Sequence, residues 1–298
     1  MSFLLFSLLS GAASLFAAPL AFRLSYAVGA VDIPDGGRHR HVRPIPRGGG
    51  FAFFVATLPA VMLYGVFFRS DGNLLSAFVL GGAAVFIVGY VDDARALSPR
   101  TKLLAETCLF SLLLPIFGFL MPMPSLLSFL LMLGFLLLCT NSVNIIDGAD
   151  GIAASSAMAS FFGFLILAAE IGSRDILMLS LILLFALLGF FPYNAPSARL
   201  FMGDGGSLFL GFAEGMCALS LIRAGVLPVR VLFCIALPLF DLMFAFLRRI
   251  RQRRPLFIGD SAHIHHRLAA RGYSPHAVLA IMLTASLALA LTGVLLIK

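Results

Sequence analysis

The sequence predicts an all-α, polytopic membrane protein of about ten transmembrane helices, with both termini on the extracytoplasmic side. Three observations carry that reading. The chain of 298 residues is 60% hydrophobic and 12% charged, about half the charged fraction of a soluble globular domain. Its apolar residues fall in runs of about twenty, the length a helix needs to cross a hydrocarbon layer of about 30 Å. Its basic residues gather in alternate connections between those runs, as they do where cytoplasmic loops are basic.

Taken in order, the runs are Phe3 to Ala27, Gly49 to Phe68, Leu74 to Val91, Leu103 to Met121, Ser125 to Thr140, Ile152 to Ile171, Ile176 to Phe191, Ser207 to Ile222, Val229 to Leu247 and Ala277 to Ile297. The stretch Met1 to Leu20 has no basic residue ahead of its apolar core, and Arg23 follows it within the first run, so it reads as an uncleaved span rather than a signal peptide. Pro115 and the Met-Pro-Met-Pro of Met121 to Pro124 divide the long apolar stretch from Leu103 to Leu138 into a hairpin, because proline removes a helical donor and clashes with the preceding turn.

Ten crossings place Val28 to Gly48, Asp92 to Lys102, Asn141 to Gly151, Pro192 to Gly206 and Arg248 to His276 on one side. All six histidines and fifteen of the 21 Lys and Arg residues fall there, which makes that side cytoplasmic by the positive-inside rule. The net charge of +7 is then a matter of loops facing anionic lipid, and no nucleic-acid partner is expected. Cys108, Cys139, Cys217 and Cys234 stand singly in apolar stretches, without the spacing of a zinc site or a disulfide framework. No internal repeat or soluble segment interrupts the chain, which reads as one membrane domain from residue 1 to residue 298.

Five polar segments share the histidine side. Asn141 to Gly151 reads Asn-Ser-Val-Asn-Ile-Ile-Asp-Gly-Ala-Asp-Gly, an island that hydrocarbon would not tolerate unless it faced protein, water or a ligand; it is a site or an aqueous loop. Asp32 to Gly50 sets four arginines beside glycines that open a helix, which suits a phosphate or simply a basic loop. Asp92-Asp93 ends one span and Lys102 begins the next: the carboxylates suit metal binding and proton abstraction, the lysine a phosphate. In Leu200 to Gly211 a carboxylate, Asp204, lies among glycines at a helix start and suits Mg2+, while Phe201 either stacks a base or packs against lipid. His263-Ile-His265-His266-Arg267 follows a cluster of arginines; such close spacing suits zinc or donors to a pyrophosphate. One rival motif fails: Asp147-x-x-Asp150-Gly151-x-x-Ala154 opens like the CDP-alcohol phosphotransferase signature, but Ser155 stands where that signature requires Arg.

In combination these segments resemble the polyprenyl-phosphate N-acetylhexosamine-1-phosphate transferase family, which includes the phospho-N-acetylmuramoyl-pentapeptide transferases and the undecaprenyl-phosphate GlcNAc-1-phosphate transferases. The resemblance runs through Asp32-x-Pro34 with Arg38 to Arg47, Asp92-Asp93 with Lys102, Asn141-x-x-Asn144-x-x-Asp147-Gly-x-Asp150-Gly, Phe201-Met-Gly-Asp204-x-Gly-Ser207 and His263-x-His265-His266. The His-x-His-His form is more similar to the branch that uses UDP-N-acetylglucosamine-type donors. Two small departures, Gly37-Arg38-His39 and Pro192-Tyr-Asn194, bear on base and sugar choice.

The resemblance implies transfer of an N-acetylhexosamine-1-phosphate from a UDP-N-acetylhexosamine to a polyprenyl (undecaprenyl) phosphate lipid, with release of UMP, as the first membrane step of a cell-envelope polysaccharide pathway such as O-antigen synthesis. It implies Mg2+ as cofactor, with Mn2+ as a substitute, a multi-pass location in the bacterial inner membrane and an active site on the cytoplasmic face. By the same token Asn144 and Asp204 would bind the metal; Asp92, Asp93, Asp147, His263, His265 and His266 would be catalytic; and Lys102, Arg47, Asp150, Phe201 and Arg267 would hold substrate. Glu214, between Gly211 and Gly215 in a short span, would line a groove or face a partner subunit in a homodimer. A transporter or flippase for an anionic substrate is the competing class, but it calls for polar residues at mid-span or on both sides, and here they crowd one side.

Overall fold

A computed structural model describes residues 2–34, 43–68, 72–115, 125–253 and 263–296. Arg38, His39, Arg40 and His41 of the first basic loop, and the hairpin expected at Met121 to Pro124, lie outside the described residues. The order of elements is α1 (Ser2–Val28), β1 (Val31–Asp32), β2 (Ile45–Pro46), α2 (Gly50–Phe68), α3 (Gly72–Arg95), α4 (Pro99–Leu113), α5 (Leu126–Ile146), α6 (Ile152–Glu170), α7 (Arg174–Asn194), α8 (Gly203–Arg223), α9 (Pro228–Cys234), α10 (Ala236–Arg251), α11 (Ile264–Ala270) and α12 (Pro275–Leu295). Among the described residues eight helices are long and apolar enough to cross a membrane, or nine if the bent pair α9 and α10 is one span. The protein is an all-α, multi-pass membrane protein. Of the ten expected runs, Leu103 to Met121 corresponds to α4, whose 15 described residues are shorter than a span.

Helix α8 is the centre of the bundle, buried along nearly its whole length, with α2, α3, α5 and α6 packed around it. Small residues let it be central: a Cβ on Gly89 of α3 would strike the Asp204 carbonyl, and one on Gly50 of α2 would strike the backbone of Gly206. Side chains there would push the backbones apart, so these glycines set how closely α2 and α3 approach the start of α8. Further along, Gly211 and Gly215 meet Cys139, Thr140 and Leu136 of α5. Their spacing therefore serves packing within the chain. Glu214 between them is 1% exposed, which corrects the expectation that it faces a partner subunit.

Three other features depart from the sequence reading. The polar island is helical in its first half, because α5 continues to Ile146 and carries Asn141 and Asn144 on its last two turns; polarity there marks a buried contact, not the end of the helix. The run Val229 to Leu247 is broken into two helices that meet at 83°. Pro238 accounts for the break, since its ring cannot tolerate the carbonyl four residues back and it donates no hydrogen bond. Finally, β1 and β2 form an antiparallel pair, and β2 runs on into a backbone pairing with the segment before α8: Phe201 N–H donates to Pro46 O, and Gly49 and Gly50 N–H donate to Phe201 O and Met202 O, all at 2.8 Å.

Candidate active site

Five chain ends meet around the start of α8. Ser98 caps α4 by accepting the Thr101 N–H at 3.1 Å, and Pro99 opens the helix, which places Lys102 on its first full turn. Asp92 and Asp93 occupy the last turn of α3, Asn144 the last turn of α5, Asp204 the first turn of α8, and Arg47 the strand extension that pairs with Phe201.

Their side chains interlock. Lys102 Nζ lies 2.6 Å from Asp204 Oδ2, 3.1 Å from Asp92 Oδ2 and 3.0 Å from Asn144 Oδ1. Asn144 Nδ2 donates to Asp204 Oδ1 and to Ser207 Oγ, both at 2.9 Å. Asp93 turns both oxygens to the backbone, accepting the N–H of Asp204 at 2.9 Å and of Gly205 at 3.0 Å. Gly203, at φ +76°, permits the turn that offers those two N–H groups, and the Arg47 carbonyl, with the Asp93 carboxylate beside it, leaves no room for a Cβ there. Asp92 accepts the Leu97 N–H at 2.7 Å. Arg47 Nη2 stands 3.8 Å from Asp93 Oδ1 and from Asp204 Oδ1.

Burial makes this arrangement costly unless it is complete. Lys102 and Asp92 are 7% and 8% exposed, and an unpaired charge at such depth costs several kcal/mol. Around Arg47, burial works to lower the pKa, but the charges of Asp204, Asp93, Asp32 and Asp147 outweigh it and hold the guanidinium more firmly protonated. Asp147, at the C-cap of α5, goes the other way: burial first, then the neighbouring Asp204 charge, hold its carboxyl well above the usual carboxylate range. Negative charge is thus in excess of the two fixed cations.

A second cluster joins the first through the Asp147–Gly151 turn. His263 Nδ1 lies 2.8 Å from Asp241 Oδ2, and the Ile264 N–H donates to Asp241 Oδ1 at 3.0 Å. The His265 ring stacks nearly parallel to His263 at 5.9 Å and edge-on to His266 at 4.2 Å. It also lies against Gly148, where a Cβ would come within 2.6 Å of Nε2. His265 is 2% exposed, yet among the described residues neither of its ring nitrogens has a hydrogen-bond partner. Burial, then the neighbouring His266, lower its pKa to about 3, so it is a neutral imidazole with one donor and one acceptor nitrogen.

The expected residues are therefore brought together with two qualifications. Asp150 gives one oxygen, Oδ2, to the N–H groups of Ser197 and Ala198, both at 3.1 Å, and so braces the turn before α8. Arg267 is exposed on α11 and, among the described residues, its side chain stands outside this network. Phe201 is held in place by its backbone pairing with Pro46 and Gly49.

Two residues escaped the sequence reading. Glu106, fully buried on α4, accepts from Asn141 Nδ2 at 2.7 Å and Thr140 Oγ1 at 3.0 Å. Its signal was the four-residue step from Lys102, which puts both on one helix face. Asp241 was a lone carboxylate in an apolar run, which in a membrane helix is a functional candidate by default.

With this geometry fixed, the chain can be compared with known proteins. Residues 75–222 match the sequence model of glycosyl transferase family 4. A Bacillus subtilis protein named a probable undecaprenyl-phosphate N-acetylglucosaminyl 1-phosphate transferase is 32% identical over 273 residues, covering 86% of this chain and 74% of its own. This chain belongs to glycosyl transferase family 4. The decaprenyl-phosphate N-acetylglucosaminephosphotransferase of Mycobacterium leprae is 30% identical, covering 80% of this chain and 69% of its own. The phospho-N-acetylmuramoyl-pentapeptide-transferase of Chlamydia trachomatis is 29% identical, covering 86% and 84%. The family match spans α3 to α8 and so takes in every member of the carboxylate cluster except Arg47.

For a divalent cation the donor set is the test. Among the described residues no group of three or more His, Cys, Asp or Glu is arranged to hold a metal. The oxygens of Asp92, Asn144 and Asp204 nevertheless converge on one cation, the Lys102 ammonium. Such hard donors fit Mg2+, which keeps water and substrate phosphate among its ligands and needs few from protein.

Proposed function

We propose that this protein transfers an N-acetylhexosamine-1-phosphate from a UDP-N-acetylhexosamine to a polyprenyl phosphate and releases UMP, at the cytoplasmic face of a bacterial inner membrane. The observation that carries it is the convergence of Asp92, Asn144 and Asp204 on a single cation position in a member of this family. An acceptor phosphate oxygen forms a bond to the sugar-bearing phosphorus, the bond between the two phosphates of the donor breaks, and UMP carries away the electron pair. Several negative charges meet in that step, so positioning and fixed cations matter more than covalent chemistry.

Asn144 and Asp204 would hold Mg2+, or Mn2+ in its place, which when bound polarises the phosphate oxygens and offsets their charge. Lys102 and Arg47 supply the fixed cations. Asp93, with both oxygens on backbone N–H groups, keeps the first turn of α8 and therefore Asp204 in place. Asp92 and the half-buried Asp147 would orient the lipid phosphate. His263, His265 and His266 offer ring N–H donors to the diphosphate, and Phe201 with the Oδ1 oxygen of Asp150 is offered to the uracil. The bundle keeps the lipid chain in hydrocarbon while its phosphate reaches this polar end.

Purified protein given UDP-N-acetylglucosamine, undecaprenyl phosphate and Mg2+ should release UMP. Asp204→Ala and Asp93→Ala should each lower that rate by about a thousandfold or more, on the scale at which fixed charge stabilises a transition state. Release undiminished in both variants would remove the site assignment, and omission of divalent cation should stop the wild-type reaction.

A further inference from the structure

The histidine segment is held by packing and by one carboxylate: Ile264 and Leu268 pack against the core, His265 lies against Gly148, and Asp241 takes the polar groups at its start. Residues 252–263 lie between α10 and α11, and α11 has seven residues, too few to be stable without tertiary support. Asp241 lies on the inner face of α10, 2% exposed. The helix turns Phe240, Met243, Phe244 and Leu247 outward. A carboxylate so placed costs several kcal/mol unless its oxygens are bonded. Both are: one meets His263 Nδ1 at 2.8 Å, the other accepts the Ile264 N–H at 3.0 Å.

The chemistry of the pair fixes more than position. An ionised carboxylate only accepts hydrogen bonds, so the nitrogen facing it must carry the proton. His263 is therefore protonated at Nδ1, and Nε2, on the far side of the ring, is left for other work. The backbone bond to Ile264 fixes where the following residues go, and the very next one, His265, reaches Gly148. We propose that Asp241 is a positioning residue of the transfer reaction: it sets the tautomer of His263 and anchors the histidine segment against the Asp147–Gly151 turn. This rests on the reading of the histidines as donors to the diphosphate.

A double-mutant cycle tests it. Asp241→Asn, which cannot accept on both sides, should lower kcat/KM for the UDP-sugar by about 10- to 100-fold, the scale on which partners of a working histidine act. His263→Gln should lower it at least as much. In the His263→Gln background, Asp241→Asn should then cost no more than about twofold, because its effect passes through the missing ring. An equal loss in both backgrounds means a general structural role and overturns the proposal. Full activity in Asp241→Asn beside a crippled His263→Gln also overturns it while leaving the histidine assignment standing; full activity in His263→Gln overturns both. The tautomer is read without altering Asp241: 15N spectra of histidine-labelled wild-type protein, with the His263 signals identified by their loss in His263→Gln, should show a protonated Nδ1. A ring protonated at Nε2 alone overturns the proposal whether or not the Asp241 variants fold.

Discussion

The two halves of the site are built on opposite terms. Around Asp204 every charged group has a partner on another helix, and α3, α4, α5 and α8 cannot shift without breaking a bond to a buried charge. Around His265 the terms differ: a buried imidazole, its two nitrogens without a hydrogen-bond partner among the described residues, sits on a short helix whose start is anchored by the Asp241 carboxylate. In the first half the charges are paired without substrate, with Glu106 Oε1 the buried oxygen left without a partner among the described residues; in the second, both nitrogens of the His265 ring are left so. Protein stability and ligand affinity are thus divided between them, since a donor left unbonded in the free protein is a donor that gains most on binding.

The sharpest way to break the satisfied half is to remove its internal cation. Lys102→Met leaves Asp92 and Asp204 without their shared ammonium. We predict a loss of about 100- to 1000-fold in activity, as for other fixed charges acting on a transferred phosphoryl group. The same variant should bind Mn2+ more tightly than wild type when no substrate is present, by about tenfold, because an ion no longer competes with a tethered charge for the same oxygens. Electron paramagnetic resonance of free Mn2+ measures this. Weaker Mn2+ binding in Lys102→Met would mean that lysine and metal use different oxygens.

The unsatisfied half answers differently. His265→Phe replaces the ring by an apolar one of similar shape and removes two unpaired polar atoms. Activity should fall by about 10- to 100-fold, while the unfolding free energy rises by about 1–3 kcal/mol, the cost of leaving buried polar groups unbonded. A variant that is both less active and less stable would show that the nitrogens are bonded in the free protein. The pH dependence has a definite sign. With its native pKa lowered to about 3, His265 stays neutral in the folded state, whereas the unfolded chain takes up a proton near the ordinary value of about 6.5. Wild-type stability should fall as pH drops from about 6.5 toward 3, by about 4 kcal/mol at most over that window. His265→Phe should lose that component of the slope.

The same contrast explains what the sequence disclosed. Asn144, Asp147, Asp204 and the histidines were visible because several polar residues together interrupt an apolar run, and hydrocarbon gives such a cluster few uses. Glu106 and Asp241 were passed over because each stands alone among apolar neighbours, and its meaning lies across a helix interface, in Asn141 or in His263. The end of α5 was misjudged for a related reason: polarity at Asn141 resembles a loop, but the helix continues because its polar face is covered by Glu106, Lys102 and Asp204. Pro238 was visible, yet a proline that far into a long apolar run is often absorbed as a kink, and the 83° break also depended on where α9 packs.

The smallest effect refines the comparison rather than breaking it. Ser98 caps α4 through Thr101 and accepts the Lys102 N–H at its own carbonyl, 3.0 Å away. Ser98→Ala removes the side-chain cap and should cost about 1 kcal/mol of stability. If the carboxylate half is held by its interlocking charges, Lys102 remains on Asp92, Asn144 and Asp204 even when the first turn of α4 loosens, and kcat changes by no more than about twofold to threefold. A loss of activity larger than the lost cap could produce, with the thermal midpoint little changed, would place the cap among the groups that aim Lys102. The rigidity of that half would then originate in the helix ends rather than in the charges between them.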